Sequence, residues 1–369
     1  MKAFIEILKE LSNDSEAYVR IKVANNPNTP ASVLEQLAKD SDKWVRLGVA
    51  KHSNTPTEVL TYLMDDTDIW VVNAVAANNN TSEDVLTKLA QHLDKLVRSE
   101  VAENLHTPTT VLIQLAKESN YTVKSSVAGN PNLPANLIEQ FYEANDINLN
   151  STLATNPNLP LAYLKAFAES KNAFARGGAA INPSTPQEIL ASLAQDNNSY
   201  VVKMVEENGN TSPQTLTYIA ENNAKENLSV WTNPNIDANA LRKAALSKEE
   251  EIVNAVAKNI NTPTDMLTYL FENPLYNTLE ALASNPSTPQ HILHEMATRS
   301  NSSPRSMVLR NPNTSQEVIS SLYKKNEWYH IDIAINPNTP ISILRELSKS
   351  NSEAVRGNVA ANPMNMYAY

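Results

Sequence analysis

His291 and His294 stand three residues apart with Glu295 beside them, a spacing that a helix would place on one face. Two such imidazoles could join a metal site, but the sequence places no third ligand with them, so no metal is expected. The other histidines, His52, His92, His106 and His330, are scattered. Cysteine is absent, which excludes disulfides, thiolate zinc sites, cysteine-ligated clusters and a cysteine nucleophile. The chain has no Gly-x-Ser-x-Gly elbow and no glycine-rich phosphate loop. Its carboxylates are distributed, and none can be paired for acid–base work. Recognition is therefore the expected chemistry: no enzyme activity and no cofactor.

Two columns of residues could carry recognition. The first is cationic: Arg20, Arg46, Arg98, Lys124, Arg176, Arg305 and Arg356. Aligned on one surface it would suit a carboxylate-rich or phosphorylated partner. A structural ladder competes with this and is favoured, because Glu16, Asp42 and Asp94 each precede an arginine by four residues. Such a helical pair contributes only about 0.2–0.5 kcal/mol. The column is also broken at Val72, Asn150, Val202, Asn227, Val253 and Leu279. The second column is aromatic: Tyr18, Trp44, Trp70, Phe174, Tyr200 and Trp328. Rings beside arginines can stack on bases or hold a peptide's apolar side chains. The favoured alternative is that each ring covers the joint between successive helices. The candidate partner-binding residues are Tyr18, Arg20, Trp44, Arg46, Trp70, Arg98, Lys124 and Arg176.

What must position these columns is a repeat. Asn26-Pro27-Asn28-Thr29-Pro30 returns as Asn182 to Pro186, Asn285 to Pro289 and Asn336 to Pro340, with weaker copies between. From Asn26 to Asn362 there are 336 residues in 13 steps, close to 26 per step. The first marker position is Asn in 13 of 14 copies, and only His52 departs. Asparagine totals 47 residues and glycine 6, so asparagine is expected to take the positive-φ turns that glycine usually fills. A stacked asparagine can also bond its own turn and the next, which makes this column structural.

Each unit reads as two helices. Thr29 should cap the first, with Pro30 at its first position. Capping boxes are expected at Thr55–Glu58, Thr81–Asp84, Thr185–Glu188, Thr211–Gln214 and Thr314–Glu317. Leu34, Leu60, Leu86, Leu112 and their equivalents mark its buried stripe. The second helix carries Val-Arg-x-x-Val-Ala, as in Val19-Arg20 and Val23-Ala24. It is expected to be shorter, about two turns, and α or 3₁₀. Asn-Pro then ends it, since a residue before proline leaves the α region.

No unit has the apolar surface for its own core, so stacking must supply one. Layers about 8–10 Å apart would make a curved rod on the order of 120–140 Å, in place of the two or three globular domains that 369 residues ordinarily suggest. The fold class expected is all-α: a solenoid of about 14 two-helix repeats of about 26 residues each. One domain is expected over 1–369: a capping helix at 1–13, repeats at 14–363 and a tail at 364–369. The last second helix would be left with one uncovered side, over which the tail folds or where a partner docks. The least regular stretch runs from 220 to 305, where Pro274 and Pro304 interrupt and Lys248-Glu249-Glu250-Glu251 add charge. Drift at a loop is favoured there over a bend or a binding segment.

The unit Val-Arg-x-x-Val-Ala-x-Asn-Pro-x-Thr-Pro-x-x-x-Leu-x-x-Leu-Ala resembles the leucine-rich repeat variant family, which is HEAT-like. The resemblance implies a right-handed superhelix without sheet, its second helices often 3₁₀ and forming the inner layer. On function it says almost nothing. An iron–sulfur cluster, known in one member outside its repeats, is excluded here by the missing cysteine.

The function expected is a non-enzymatic scaffold binding another protein or peptide through its concave surface. Nucleic-acid binding or a repair-associated role is the alternative. It is disfavoured because 30 Lys and Arg face 40 Asp and Glu, a net charge of −10. A hydrolase site in the irregular middle is the third reading. No apolar run approaches 18 residues and the first residues form no secretory signal, so no membrane partner and a cytoplasmic location are expected.

Overall fold

The structure, a computed structural model, describes residues 2–222, 228–298 and 304–364. Among them every regular element is a helix and no strand occurs. They fall into two compact units, one of Met1–Val59 with Ala238–Tyr369 and the other of Leu60–Asp237. Each is built of repeated helix pairs. The leucines of the first helix, such as Leu34, Leu86 and Leu344, and the valines of the second, such as Val23, Val49 and Val101, are wholly buried. Burying each stabilises its unit by about 1.5–3 kcal/mol, which no isolated helix this short could supply for itself.

The expected order of helix lengths holds in some repeats, as in Ala135–Ala144 before Leu149–Thr155 and Gln316–Lys325 before His330–Ile335, and is reversed in others. First helices such as Ala31–Leu37, Glu83–Leu89, Gln187–Leu193 and Ile341–Leu347 have 7 residues. Second helices such as Lys43–Lys51, Lys95–Glu103 and Ser199–Glu207 have 9 and are α-helical. Among the described residues, 3₁₀ geometry occurs as elements only at Leu228–Thr232 and Glu327–Tyr329. The Thr-Pro step stays extended, with Pro30 at φ −72°, ψ 153°, so the first helix starts later than its sequence pattern. The second starts promptly because the side chain of Asp42 or Asp94 accepts the N–H of Trp44 or Leu96.

The marker threonines do not cap the helices that follow them. Thr29 Oγ1 instead donates to the carbonyl of Val23, six residues back, at 2.6 Å. Thr81, Thr185 and Thr211 do the same to Val75, Ala179 and Val205. The expected capping boxes therefore give way to a bond that ties each marker to the second helix before it. Where a serine follows the threonine, as at Ser82 and Ser315, that serine is the cap.

The asparagines also act differently from expectation. Among the described residues only Asn145 and Asn277 have positive φ outside glycine. The marker asparagines are extended: Asn104 sits at φ −65°, ψ 129° and Asn182 at φ −62°, ψ 125°. Asn104 lacks a following proline, so proline is not what ends the helix there. The amide does the holding. Asn104 Nδ2 donates to Ala76 O at 2.7 Å and Asn78 O at 3.0 Å, while its Oδ1 accepts the N–H of His106. Asn130, Asn156, Asn182 and Asn208 repeat this upon the preceding turn. His52 substitutes faithfully: its Nδ1 accepts the N–H of Asn54, leaving Nε2–H to donate to Asn26 O at 2.8 Å.

The segment expected to be a capping helix, and the side of the last second helix expected to be covered by the tail or a partner, meet each other instead. The helix Lys2–Leu11 is the first helix of a complete repeat, and it packs against Ile341–Leu347 and Glu353–Ala360. Asn26 Nδ2 donates to Ala360 O at 2.6 Å and Asn362 O at 2.9 Å, the same two bonds that join successive repeats. That side of the last second helix is thus covered by the chain's own first repeat. The tail 365–369 and residues 223–227 and 299–303 of the irregular middle lie outside the described residues.

Candidate interaction surface

The second helices carry both candidate columns. Arg20, on Ala17–Ala24, sends Nε and Nη2 to the two carboxylate oxygens of Asp40 at 2.6 and 3.0 Å. Its Nη1 donates to the carbonyls of Asp14 and Ser15. Arg176 grips Asp196 in the same way, and Arg98 grips Glu118 at 2.9 and 3.0 Å. Each acid lies 20 residues beyond its arginine, in the next repeat. The acids four residues before, Glu16 and Asp94, are not the partners. Asp94 accepts the backbone N–H of Leu96 instead.

The electrostatics follow this geometry. Burial raises the pKa of Asp40 and Asp196, but the guanidinium bonds and a backbone N–H outweigh it and hold both carboxyls below their ordinary value. Arg20 and Arg176 are raised by the same bonds. Arg46 directs Nη1 to the carbonyls of Asp40 and Ser41. Arg305 donates to Ala297 O. Lys124 is half-buried on Tyr121–Gly129, and position 144, where an acid would receive it, is alanine. The guanidiniums of Arg20, Arg98 and Arg176 are therefore spent on the fold. The signal for this was present in the sequence as an acid 20 residues after each of these arginines.

The aromatic column faces outward. Trp44 is 51% exposed, Trp70 54%, Phe174 63% and Trp328 85%. Tyr18 and Tyr200 are less so, because each lies over a glycine of a neighbouring second helix, Gly357 and Gly177. For these two the joint-covering role holds. Phe174 and Tyr200 also meet with ring centroids 5.5 Å apart. In the unit of Leu60–Asp237 the exposed apolar row also takes in Ile69, Leu96 and Tyr121, none of them anticipated as contacts.

Two clefts open on the surface of the described residues. One of about 510 Å³ is lined by Glu83, Leu105, His106, Pro108, Thr110 and Asn132 among others. A smaller one of about 250 Å³, in the irregular stretch, is lined by Asn254, Lys258, Asn277, Glu280, Ser284 and Met307, with no histidine to activate the serine. Among the described residues no three His, Asp or Glu side chains gather as a metal site. No described helix is long and apolar enough to cross a membrane.

Residues 18–42 match the family model described as leucine rich repeat variant. No curated protein matches the chain. A solved structure described as a leucine-rich repeat variant with a novel repetitive protein structural motif is 21% identical, covering 62% of this chain and 80% of its own at a TM-score of 0.31. Two engineered proteins are 15% and 17% identical, covering 98% and 69% of this chain and 98% and 94% of their own, with TM-scores of 0.28 and 0.17. The matched segment runs from Tyr18 through the first Asn-Pro-Asn-Thr-Pro marker to Asp42, and it includes the Arg20–Asp40 pair. Residues 18–42 thus match one leucine rich repeat variant unit, and the described residues form an array of helix pairs without a strand.

Proposed function

We propose that the protein is a non-enzymatic scaffold that binds another protein or peptide on the face formed by its second helices. One observation carries this. The outward positions of those helices hold large rings, Trp44 in one unit and Trp70 and Phe174 in the other, and Trp328 stands in the 3₁₀ turn that leads into one of them, each more than half exposed. Scattered exposed apolar residues are ordinary, but large rings recurring at one repeat position within a unit are residues of the kind contacts use. The guanidiniums of Arg20, Arg98 and Arg176 beside them are engaged by carboxylates, so the rings and not those arginines supply the contact area.

A photo-crosslinking residue placed at 44, 70, 174 or 328, and for comparison at the exposed first-helix positions 62 and 269, tests this in the protein's native lysate. Discrete protein adducts from the ring positions alone are expected. Adducts from both sets equally, or from neither, would end the proposal.

A further inference from the structure

Nine of the thirteen marker asparagines are followed by proline, and one, Asn208, is followed by glycine. Asn208-Gly209 is the one Asn-Gly step in the chain. The fold gives no reason for glycine there. Among the described residues no glycine has positive φ, and a Cβ at 209 would meet nothing within 4 Å. What glycine brings in place of proline is a backbone N–H with no side chain beside it. Gly209 is exposed, and among the described residues its N–H donates to no acceptor. The amide next to it is buried: Asn208 is 3% exposed. Its Nδ2 donates to Ala180 O at 2.7 Å and Asn182 O at 2.9 Å, and its Oδ1 accepts the N–H of Asn210. These bonds join Ser199–Glu207 to Ala173–Ile181.

We propose that Asn208 is a site of spontaneous deamidation, gated by the opening of its own junction. The reaction needs a main-chain nitrogen directly after the amide residue, with a proton to lose and no side chain to obstruct it. Proline, which follows Asn26, Asn130, Asn156 and Asn182, has no such proton. Once deprotonated by hydroxide, Gly209 N attacks Asn208 Cγ. The N–Cγ bond forms, the Cγ–Nδ2 bond breaks, and ammonia leaves with a proton taken from water. Water then opens the cyclic imide. Breaking N–Cγ leaves aspartate, and breaking the main-chain N–C bond leaves isoaspartate. One water enters, one ammonia departs, and nothing is oxidised. The folded chain restrains the first step. Asn208 holds ψ at 117°, which turns the Gly209 nitrogen away from Cβ and Cγ, and its amide is committed to two carbonyls. The backbone must rotate and those bonds must part before the ring closes, so the rate follows the population of the opened junction. The change is then permanent: a carboxylate at 208 has no N–H to give, and Ala180 O and Asn182 O lose their donor. This chemistry is independent of which face contacts a partner.

Peptide mass spectrometry of the full chain, held at mildly alkaline pH, tests this. Position 208 should accumulate aspartate and isoaspartate while Asn130, Asn156 and Asn182 remain amides, and the rate should rise with pH. Gly209→Pro should abolish the reaction, and the extended backbone of Asn208 already suits a proline after it. Urea below the unfolding midpoint should accelerate it. Thr211→Val, which removes the bond to Val205 O, should do so at least about fivefold. The reacted chain, separated by its added negative charge, should show faster amide exchange in Ala173–Ile181 and Ser199–Glu207 and unchanged exchange in Lys95–Glu103. Asn208→Asp should do the same, and the reacted chain alone supplies this readout if that variant fails to fold. Three results would each overturn the inference. The native chain could keep the Asn208 amide while the urea-unfolded chain loses it, the rate could be indifferent to urea and to Thr211→Val, or the reacted chain could exchange like its parent.

Discussion

Arg356 donates from Nε and Nη2 to the two carboxylate oxygens of Asp14 at 2.6 and 3.0 Å, although 342 residues separate them. The bond repeats the geometry of Arg20 with Asp40 and Arg176 with Asp196, which join successive repeats. Nearby, Tyr18 lies over Gly357 as Tyr200 lies over Gly177. Asn28 Nδ2 reaches Pro363 O as Asn158 Nδ2 reaches Pro131 O. The first repeat thus receives the last one in the register of any neighbour. This matters for stability, because an array with exposed ends needs polar caps, and here the two ends serve that purpose for each other.

Asp14→Ala should therefore loosen the terminal contact locally. It leaves a largely buried guanidinium without its carboxylate, a cost of about 1–3 kcal/mol, since the Arg356 side chain is only 15% exposed. Amide exchange should rise in Ala17–Ala24 and Glu353–Ala360 while Lys95–Glu103 keeps its protection. Uniform acceleration throughout the chain, or none at the two terminal helices, would show that the pair does not hold the ends together.

The same contact should weaken in acid. The bond from Arg356, more than any other influence, holds the Asp14 carboxyl below its ordinary value, against the opposing effect of burial. A group with a depressed folded pKa contributes stability in full above the unfolded value of about 3.9 and loses it as pH falls through the lower folded value. The stability difference between the native chain and Asp14→Asn should accordingly be constant from neutral pH to about 5 and shrink below about 4. Denaturant unfolding at a series of pH values measures it, and a difference that persists to pH 2 contradicts the assignment.

Why some of this was legible in the sequence and some was not follows from where each interaction lies. Leu34 and Val23 declare their burial by spacing within one helix, and the marker's period declares the array. The Asn104 amide was expected to bond its own turn and the next; it bonds its own turn and the one before. Thr29 resembles a helix cap in its local sequence, but a bond to Val23 competes and wins because it satisfies a carbonyl at the buried end of the preceding helix. The Arg20–Asp40 pairing escapes a search for helical neighbours because its partners occupy different repeats. Asp14 with Arg356 was harder still, since nothing local says that the last repeat should meet the first. The outward-facing rings were named from the sequence, but only the structure distinguishes Tyr18, seated on Gly357, from Trp44, which stands free of any such seat.

Gly178 should be the glycine least able to accept a side chain. A Cβ there would run into the backbone carbonyl of Ser151 and come within 2.8 Å of Ala154 Cβ, atoms that cannot rotate away. Gly178→Ala should force apart Leu149–Thr155 and Ala173–Ile181 and destabilise by about 1–3 kcal/mol. Gly209→Ala, where a Cβ meets nothing, is the control. Equal urea midpoints for the two variants would rule out close helix approach as the reason for glycine at 178.

Glu206 is the buried group most at odds with its position. Val205-Glu206 occupies the Val-Ala pair of Val101-Ala102 and Val127-Ala128, so a carboxyl stands where other second helices place a methyl. The residue is 4% exposed, and its Oε2 has no hydrogen-bond partner among the described residues. Burial pushes its pKa up, a bond from Ser229 and the charge of Lys203 opposing and Glu207 reinforcing. A raised folded pKa means that the ionised form is disfavoured in the fold, so stability is lost as pH climbs from the unfolded value of about 4.3 through the folded one. Glu206→Ala should thus stabilise the protein at pH 7 by about 1–3 kcal/mol and have a smaller effect at pH 4. Thermal unfolding at both pH values measures this. A variant less stable than the native chain at pH 7 would mean that the carboxylate is held there by a favourable contact rather than tolerated.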